Sequence, residues 1–339
     1  MIENNISNEI SSLLESIDSS DTILLLEPLK NGGNNRTFRV KTKKNLYVAK
    51  KYFRHPHDLR DRLTSEFEFL SYATQVSSGM TPIPFVKNDQ DGIALYEFIE
   101  GSILTAEEIT KKEIDEAIKL FCLLNINKST CRLSPASEAC FTIEEHLTLI
   151  NNRISTLQDS VREPDAEKLI LSLAQYWNIL KNNIIQNCDN EAIDPLKPLL
   201  PSEQCISPSD FGFHNALRMQ DGTLKFLDFE YAGFDDPAKM IGDFFSQLAI
   251  PLKQEYFVYF VKQISGIFSD QETLIKRANL LRPLYKVKWC CIALNIFIPE
   301  HLARRKFANP NLNENSLKKA QLNKAENIIR YLETHYATH

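Results

Sequence analysis

Ile206-Ser207-Pro208-Ser209-Asp210-Phe211-Gly212-Phe213-His214-Asn215, followed by Phe226-Leu227-Asp228-Phe229-Glu230, is the stretch on which the rest of the chain turns. Asn215 stands five positions after Asp210. Gln220-Asp221-Gly222-Thr223 reads as a turn, and a short apolar strand after it carries Asp228. The residue types suit phosphoryl transfer. One carboxylate takes the proton of an attacking hydroxyl, while a neutral amide oxygen and a second carboxylate hold Mg2+ against nucleotide phosphates. A polar surface turn with an Asp-Gly hairpin would contain the same residues, so the flanks decide between the two.

Asp210-x4-Asn215, the strand Lys225-Phe226-Leu227-Asp228-Phe229-Glu230 and the following Tyr231-Ala232-Gly233 resemble the aminoglycoside phosphotransferase and choline kinase superfamily. The resemblance implies an α+β, two-lobed protein-kinase-like fold. Residues 1–98 form a small nucleotide-binding lobe with an antiparallel sheet, and residues 99–339 a larger, mainly helical lobe for catalysis and acceptor binding. It also implies transfer of the γ-phosphate of ATP, with Mg2+, to a hydroxyl of a small molecule. On that pattern Asp210 is the catalytic carboxylate, and Asn215 and Asp228 are the metal ligands. Glu230, two residues beyond Asp228 on the same strand face, either touches a second metal or shapes the site. Asp228-Phe229-Glu230 stands where protein kinases have Asp-Phe-Gly, and Tyr-Ala after it reads closer to choline kinases. The family usually carries His-Gly-Asp where this chain has Pro208-Ser209-Asp210. An active enzyme is still expected, because the aspartate is the proton acceptor. Proline stiffens the turn and the Ser209 side chain supplies a local hydrogen bond.

Upstream, Ile6, Ile10, Leu13, Leu14 and Ile17 recur at helical spacing. Asn31-Gly32-Gly33-Asn34-Asn35 lies between two β-rich runs. It is either a plain hairpin or a phosphate cover, in which Gly32 and Gly33 let backbone N–H groups approach a nucleotide. Alternation along Asn45–Phe53 puts Val48 and Lys50 on one face and Lys51 on the other. Lys50 is therefore the candidate for the α- and β-phosphates. A helix is expected over Asp58–Tyr72, and the resemblance makes Glu66 the partner of Lys50, with Glu68 as the fallback. Ile93–Gly101 looks like the hinge between lobes, where the Glu97 carbonyl and Ile99 N–H would meet adenine.

Downstream of the hinge, capping boxes at Thr105–Glu108 and Thr142–Glu145 open helices. The first carries the stripe Ile114, Ile118, Phe121 and Leu124. A third helix is expected over about Asp165–Ile185, then a proline-rich loop from Asn190 to Pro201. Asp236 caps a helix that begins with Pro237. No long activation segment and no Ala-Pro-Glu follows Glu230, which argues against a usual protein kinase. Trp289, Leu294 and Phe297 read as core rather than acceptor pocket. Arg304-Arg305-Lys306 reads as a solvated cluster that could meet an anionic substrate. A cationic acceptor would suit Asp235, Asp236 and Glu230, so the acceptor stays open.

The 339 residues are 43% apolar and 24% charged, as in a soluble globular protein, and the net charge of -5 argues against nucleic-acid binding. No apolar run approaches the roughly 18 residues of a membrane span, and Met1–Asn5 lacks the start of a signal peptide. Seven scattered cysteines without Cys-x2-Cys spacing fit a reducing cytoplasm rather than a zinc site. Oligomeric state is not legible. A nucleotide-binding module without turnover and a kinase with a protein acceptor are the rival readings.

Overall fold

The computed structural model describes residues 2–29, 33–56, 58 and 60–336. The helical period at Ile6, Ile10, Leu13 and Leu14 produces α1 (Ile2–Ile17), and β1 (Ile23–Leu29), β2 (Arg36–Thr42) and β3 (Leu46–Lys51) follow. Helix α2 (Arg62–Val76) crosses to β4 (Pro84–Asn88) and β5 (Ile93–Glu97). The strands make one antiparallel five-stranded sheet in the order β1-β2-β3-β5-β4. The α1 stripe closes a core with Phe38, Val40, Tyr47, Ala49, Ile93 and Leu95. Helix α2 starts four residues later than its apolar spacing suggests, because Asp61 caps it by accepting from Thr64 N–H. Asp58 lies outside the helix and turns its carboxylate to Arg60 and Arg62.

Beyond β5 come β6 (Ser102–Ile103), α3 (Lys111–Ile126), α4 (Ile143–Ser160) and α5 (Pro164–Asn190). The Thr105–Glu108 capping box is formed, but on a single 3-10 turn. A second box, Thr110–Glu113, opens α3 beside its apolar stripe, where the side chains have a core to bury into. Then β7 (Cys205–Ser207), β8 (Ala216–Arg218), β9 (Leu224–Phe226) and β10 (Gly233–Asp235) form two small antiparallel sheets, β6-β8-β9 and β7-β10. The β8–β9 connection is the turn at Asp221-Gly222, with Gly222 at φ 81°.

The remainder is helical: α6 (Pro237–Ser246), α7 (Glu255–Ser265), α8 (Gln271–Leu294), α9 (Pro299–Ala308) and α10 (Glu314–Tyr336). Asp236 caps α6 by accepting from Ala238 N–H at 2.7 Å. Helices α4, α5, α6, α7 and α10 pack around α8, which buries much of its length, the side chains of Arg277 and Lys288 included, with Cys290, Cys291 and Leu294 fully buried. Helix α9 begins at Pro299, and its last turn carries Arg305 and Lys306, with Arg304 just before it. Among the described residues no helix is long and apolar enough to cross a membrane.

Candidate active site

Successive β3 side chains leave on opposite faces. Lys51 runs toward α1 and pairs with Glu9 at 2.7 Å. Lys50, 7% exposed, lies 2.6 Å from Glu66 Oε2 and 2.5 Å from Asp228 Oδ1. Glu66 also accepts from the Tyr52 hydroxyl at 2.6 Å and from Phe229 N–H at 3.2 Å. Glu68 is exposed on the other side of α2. Burial alone would lower the pKa of the Lys50 ammonium, but the Asp228 and Glu66 carboxylates outweigh it and hold it well above its ordinary value. The site therefore keeps a fixed positive charge beside Asp228.

The turn that carries Asp210 and Asn215 follows β7. A 3-10 turn at Phe213–Asn215 swings Asn215 back, and its Nδ2 donates to the Asp210 carbonyl at 2.9 Å. Leu227 N–H donates to the Asn215 carbonyl at 2.7 Å. Asp228 takes φ 64°, in the left-handed region. Strand β9 thus ends at Phe226, and the alternation expected to carry Asp228 and Glu230 onto one face stops before either. Lys50 uses Oδ1 of Asp228, and the Asp210 carbonyl uses the amide nitrogen of Asn215. Asp228 Oδ2 and Asn215 Oδ1 remain as hard oxygen donors, a set that fits Mg2+ completed by phosphates and water.

Asp210, Asn215, Asp228 and Gly33 line one cavity of about 470 Å³ that runs on into α8, α9 and α10. A side chain at Gly33 would meet the Arg305 guanidinium, which would have to swing aside, so the loop and α9 come into close contact here. Gly32 lies outside the described residues. Glu230, 2% exposed, accepts from Asn34 Nδ2 at 2.7 Å and from Asn35 Nδ2, and lies 3.8 Å from Arg62 Nε. Its oxygens tie the glycine loop to the segment after β9, which favours the shaping role. The Glu97 carboxylate is likewise used by the scaffold, taking Ile83 N–H at 3.2 Å and Lys225 at 2.9 Å. Glu97 and Ile99 stand at the end of β5 and do not line the cavity.

Two features had no signal in the sequence. His214 Nε2 lies 3.3 Å from Asp210 Oδ1, and nothing but its place beside Asn215 pointed to it. The acids Asp235, Asp236 and Asp243 are buried and individually paired. Lys239 is 2.6 Å from Asp235, Arg277 is 2.5 Å from Asp236, and Lys288 is 2.8 Å from Asp243. Trp289 lines the cavity, contrary to its reading as core, because its Nε1 turns to Asp243 at 2.9 Å. Leu294 and Phe297 are core.

The family model described as phosphotransferase enzyme family matches residues 26–249. The chain belongs to this family. Among solved structures, the choline kinase LicA from Streptococcus pneumoniae superposes with a TM-score of 0.58 at 17% identity, covering 97% of this chain and 99% of that one. A choline/ethanolamine kinase family protein from Mesorhizobium loti gives 0.59 at 14% identity, covering 97% and 95%. An aminoglycoside 2'-phosphotransferase in complex with GDP gives 0.60 at 14% identity, covering 98% and 100%. These likenesses establish the two-lobed kinase-like fold. No curated protein matches.

In this phosphotransferase the departure from His-Gly-Asp has a visible consequence. Ser209 takes φ 63°, in the region where glycine would be unstrained. Its hydroxyl, expected to fix the turn, has no partner among the described residues. The bond is made instead by Ser207 Oγ, which accepts from Ser209 N–H at 3.0 Å. The left-handed kink brings that N–H back over residue 207.

Two histidines of the helical lobe are held neutral. Burial lowers the pKa of His146, which sits between Tyr285 and Asp236. Burial, then the Arg304, Arg60 and Arg153 guanidiniums, lowers His301 to about 3. Both folded pKa values lie below the unfolded value of 6.5. Below that pH the unfolded chain binds more protons, and stability falls by up to about 1.4 kcal/mol per pH unit for each group. Thermal midpoints between pH 7 and 5 should therefore drop less steeply in His301→Gln than in the wild type. Equal slopes would show that His301 protonates freely in the folded protein.

Proposed function

We propose that the protein transfers the γ-phosphate of ATP, with Mg2+, to a hydroxyl of a small molecule. The observation that carries this reading is that Asp210, Asn215 and Asp228 line one metabolite-sized cavity while the Lys50–Glu66 pair meets Asp228. When bound, Mg2+ would neutralise phosphate charge between Asn215 Oδ1 and Asp228 Oδ2. Lys50, kept charged by its carboxylates, binds the α- and β-phosphates, and Glu66 orients it. Backbone N–H groups at Gly32 and Gly33 cover the phosphates. The Glu97 carbonyl and Ile99 N–H hold the base edge, and the lobes divide at residues 98 and 99. Asp210 positions the acceptor hydroxyl and takes its proton late, and His214 holds the Asp210 carboxylate in place. Most of the rate enhancement then comes from positioning and electrostatics. The cysteines, all unpaired, suit a cytoplasmic enzyme.

The test is ADP formation from Mg-ATP against a broad pool of hydroxylated metabolites, with transferred label traced to small molecules or to polypeptide. Turnover on metabolites is expected. In Lys50→Ala the KM for ATP should rise at least about tenfold while the thermal transition persists, since a buried ion pair and a phosphate contact are both lost. Tight nucleotide binding without transfer to any acceptor would favour a binding module, and label on polypeptide a protein kinase.

A further inference from the structure

The cavity beyond Asp210 has a charge pattern that bears on what it admits. Its carboxylates are already committed. Asp243 faces Lys288 at 2.8 Å and Trp289 at 2.9 Å, Glu138 pairs with Arg153, and Asp228 faces Lys50. Arg153 outweighs the burial of Glu138 and draws its pKa down to about 2, so that pair is ionised. A cationic acceptor entering here would find only Asp210 unclaimed by a lysine or arginine.

The cations are in the opposite condition. The Arg304 side chain is 11% exposed, and its nearest carboxylate, Asp58 at 3.9 Å, is shared with Arg60 and Arg62. Arg304 Nη2 reaches only the neutral ring of His301, at 3.0 Å, and its Nε has no partner among the described residues. Arg305 and Lys324 line the same cavity, and among the described residues neither meets a carboxylate within ion-pair distance. Arg153 adds a second buried Nε without a partner. A guanidinium taken out of water needs an anion beside it, or its desolvation goes uncompensated. Here Arg304 has only a distant share of Asp58, at 3.9 Å, and Arg305 and Lys324 have no carboxylate partner among the described residues.

Aromatic surface is also short. A quaternary ammonium is recognised by a cage of ring faces. The rings lining this cavity are Tyr231 and Trp289, and Tyr231 is already covered by the guanidiniums of Arg60 at 5.7 Å and Arg62 at 5.6 Å.

We propose that the acceptor is an anion: a hydroxylated small molecule bearing a phosphate or carboxylate group, held by Arg304, Arg305 and Lys324 while its hydroxyl faces Asp210. This rests on the phosphotransferase reading, and it reverses the charge of the acceptors named for the choline and aminoglycoside kinases above. The guanidinium fork matches either oxyanion bidentately.

Calorimetric titration of the full chain, saturated with Mg2+ and a non-hydrolysable ATP analogue, tests it. Inorganic phosphate, gluconate and choline are the probes, so phosphate and carboxylate are separate arms. Phosphate or gluconate should bind at least about tenfold more tightly than choline. Lys324→Ala and Arg304→Ala should each weaken that binding about five- to tenfold, a range set by loss of one charge-assisted contact. Affinity for the analogue should stay within about twofold, the change expected where no contact is lost. Three results overturn the proposal: tighter binding of choline, anion binding weaker than about 10 mM, or anion binding indifferent to both substitutions. Anion binding that vanishes when the analogue is bound would also overturn it, assigning the cations to the nucleotide phosphates. Failure of the analogue itself to bind would instead count against the phosphotransferase reading, and the anion titration is then read on the protein alone by the same criteria.

Discussion

Asp210→Ala should lower kcat by roughly 10²–10⁴, the scale for removing a general base, and leave the affinity for Mg-ATP nearly unchanged. The separation follows from where the side chains stand. Asp210 sits on the turn after β7 and lines the cavity proposed for the acceptor, whereas the cation proposed for the nucleotide is Lys50 on β3, paired with Glu66 and Asp228. Asp210 makes no contact with that trio among the described residues, so its loss should be felt in the chemical step. Asp210→Asn is the cleaner variant, since its amide keeps the size of the side chain and can still meet His214. Single-turnover rates with saturating ATP measure the step directly. A rate within about tenfold of wild type, below the range of a general base, would remove Asp210 from that role. Asp210→Ala with weakened ATP binding would mean that the turn, rather than the proton transfer, had been damaged.

Asp228→Ala should abolish metal-dependent nucleotide binding and bring turnover to the limit of detection, a loss of at least about 10³. Two contributions are removed together: one of two hard oxygen donors and one of two carboxylates beside Lys50. The backbone complicates this variant. Asp228 is held at φ 64°, where alanine is disfavoured by about 1–2 kcal/mol while asparagine is tolerated. Asp228→Asn therefore separates charge from conformation. It should fold like the wild type and still lose most of the activity. Retention of wild-type kcat with Mg2+ in Asp228→Asn would overturn the metal assignment.

The buried carboxylates after β10 belong to a different class. Asp235 and Asp236, with Glu230, had invited a cationic acceptor, but both aspartates, like Asp243, are satisfied internally. Asp236 is both helix cap and ion-pair partner. Burial would raise its pKa, yet Arg277 and His146 outweigh burial and bring it down to about 2. Removing one member of such a pair leaves a buried charge alone, which typically destabilises by about 3–5 kcal/mol. Asp236 and Asp243 hold α6 against α8, and Asp235 ties β10 to α6.

What the sequence determined by itself was everything governed by short-range rules. Alternation along Leu46–Lys51 separated Lys50 from Lys51, and helical spacing and capping located α1, α4 and α5. Asp236-Pro237 marked the start of α6. Asp210-x4-Asn215 with Asp228 marked three residues that line one cavity, because a turn and a hairpin hold them within one local unit. Local rules failed where two local signals competed. The Thr105 box was chosen over Thr110, and β9 was extended through Asp228 because a positive φ at a non-glycine residue leaves no trace in composition. Only the tertiary structure decided which charges are free. Asn34 meets Glu230 across 196 positions, and Lys288 meets Asp243 across 45. A surface-like Arg304-Arg305 pair becomes the wall of a cavity because α9 folds back beside the glycine loop. Whether an ionisable side chain is compensated depends on what lies within about 4 Å of it in a poorly screened interior, and packing between distant segments sets that distance.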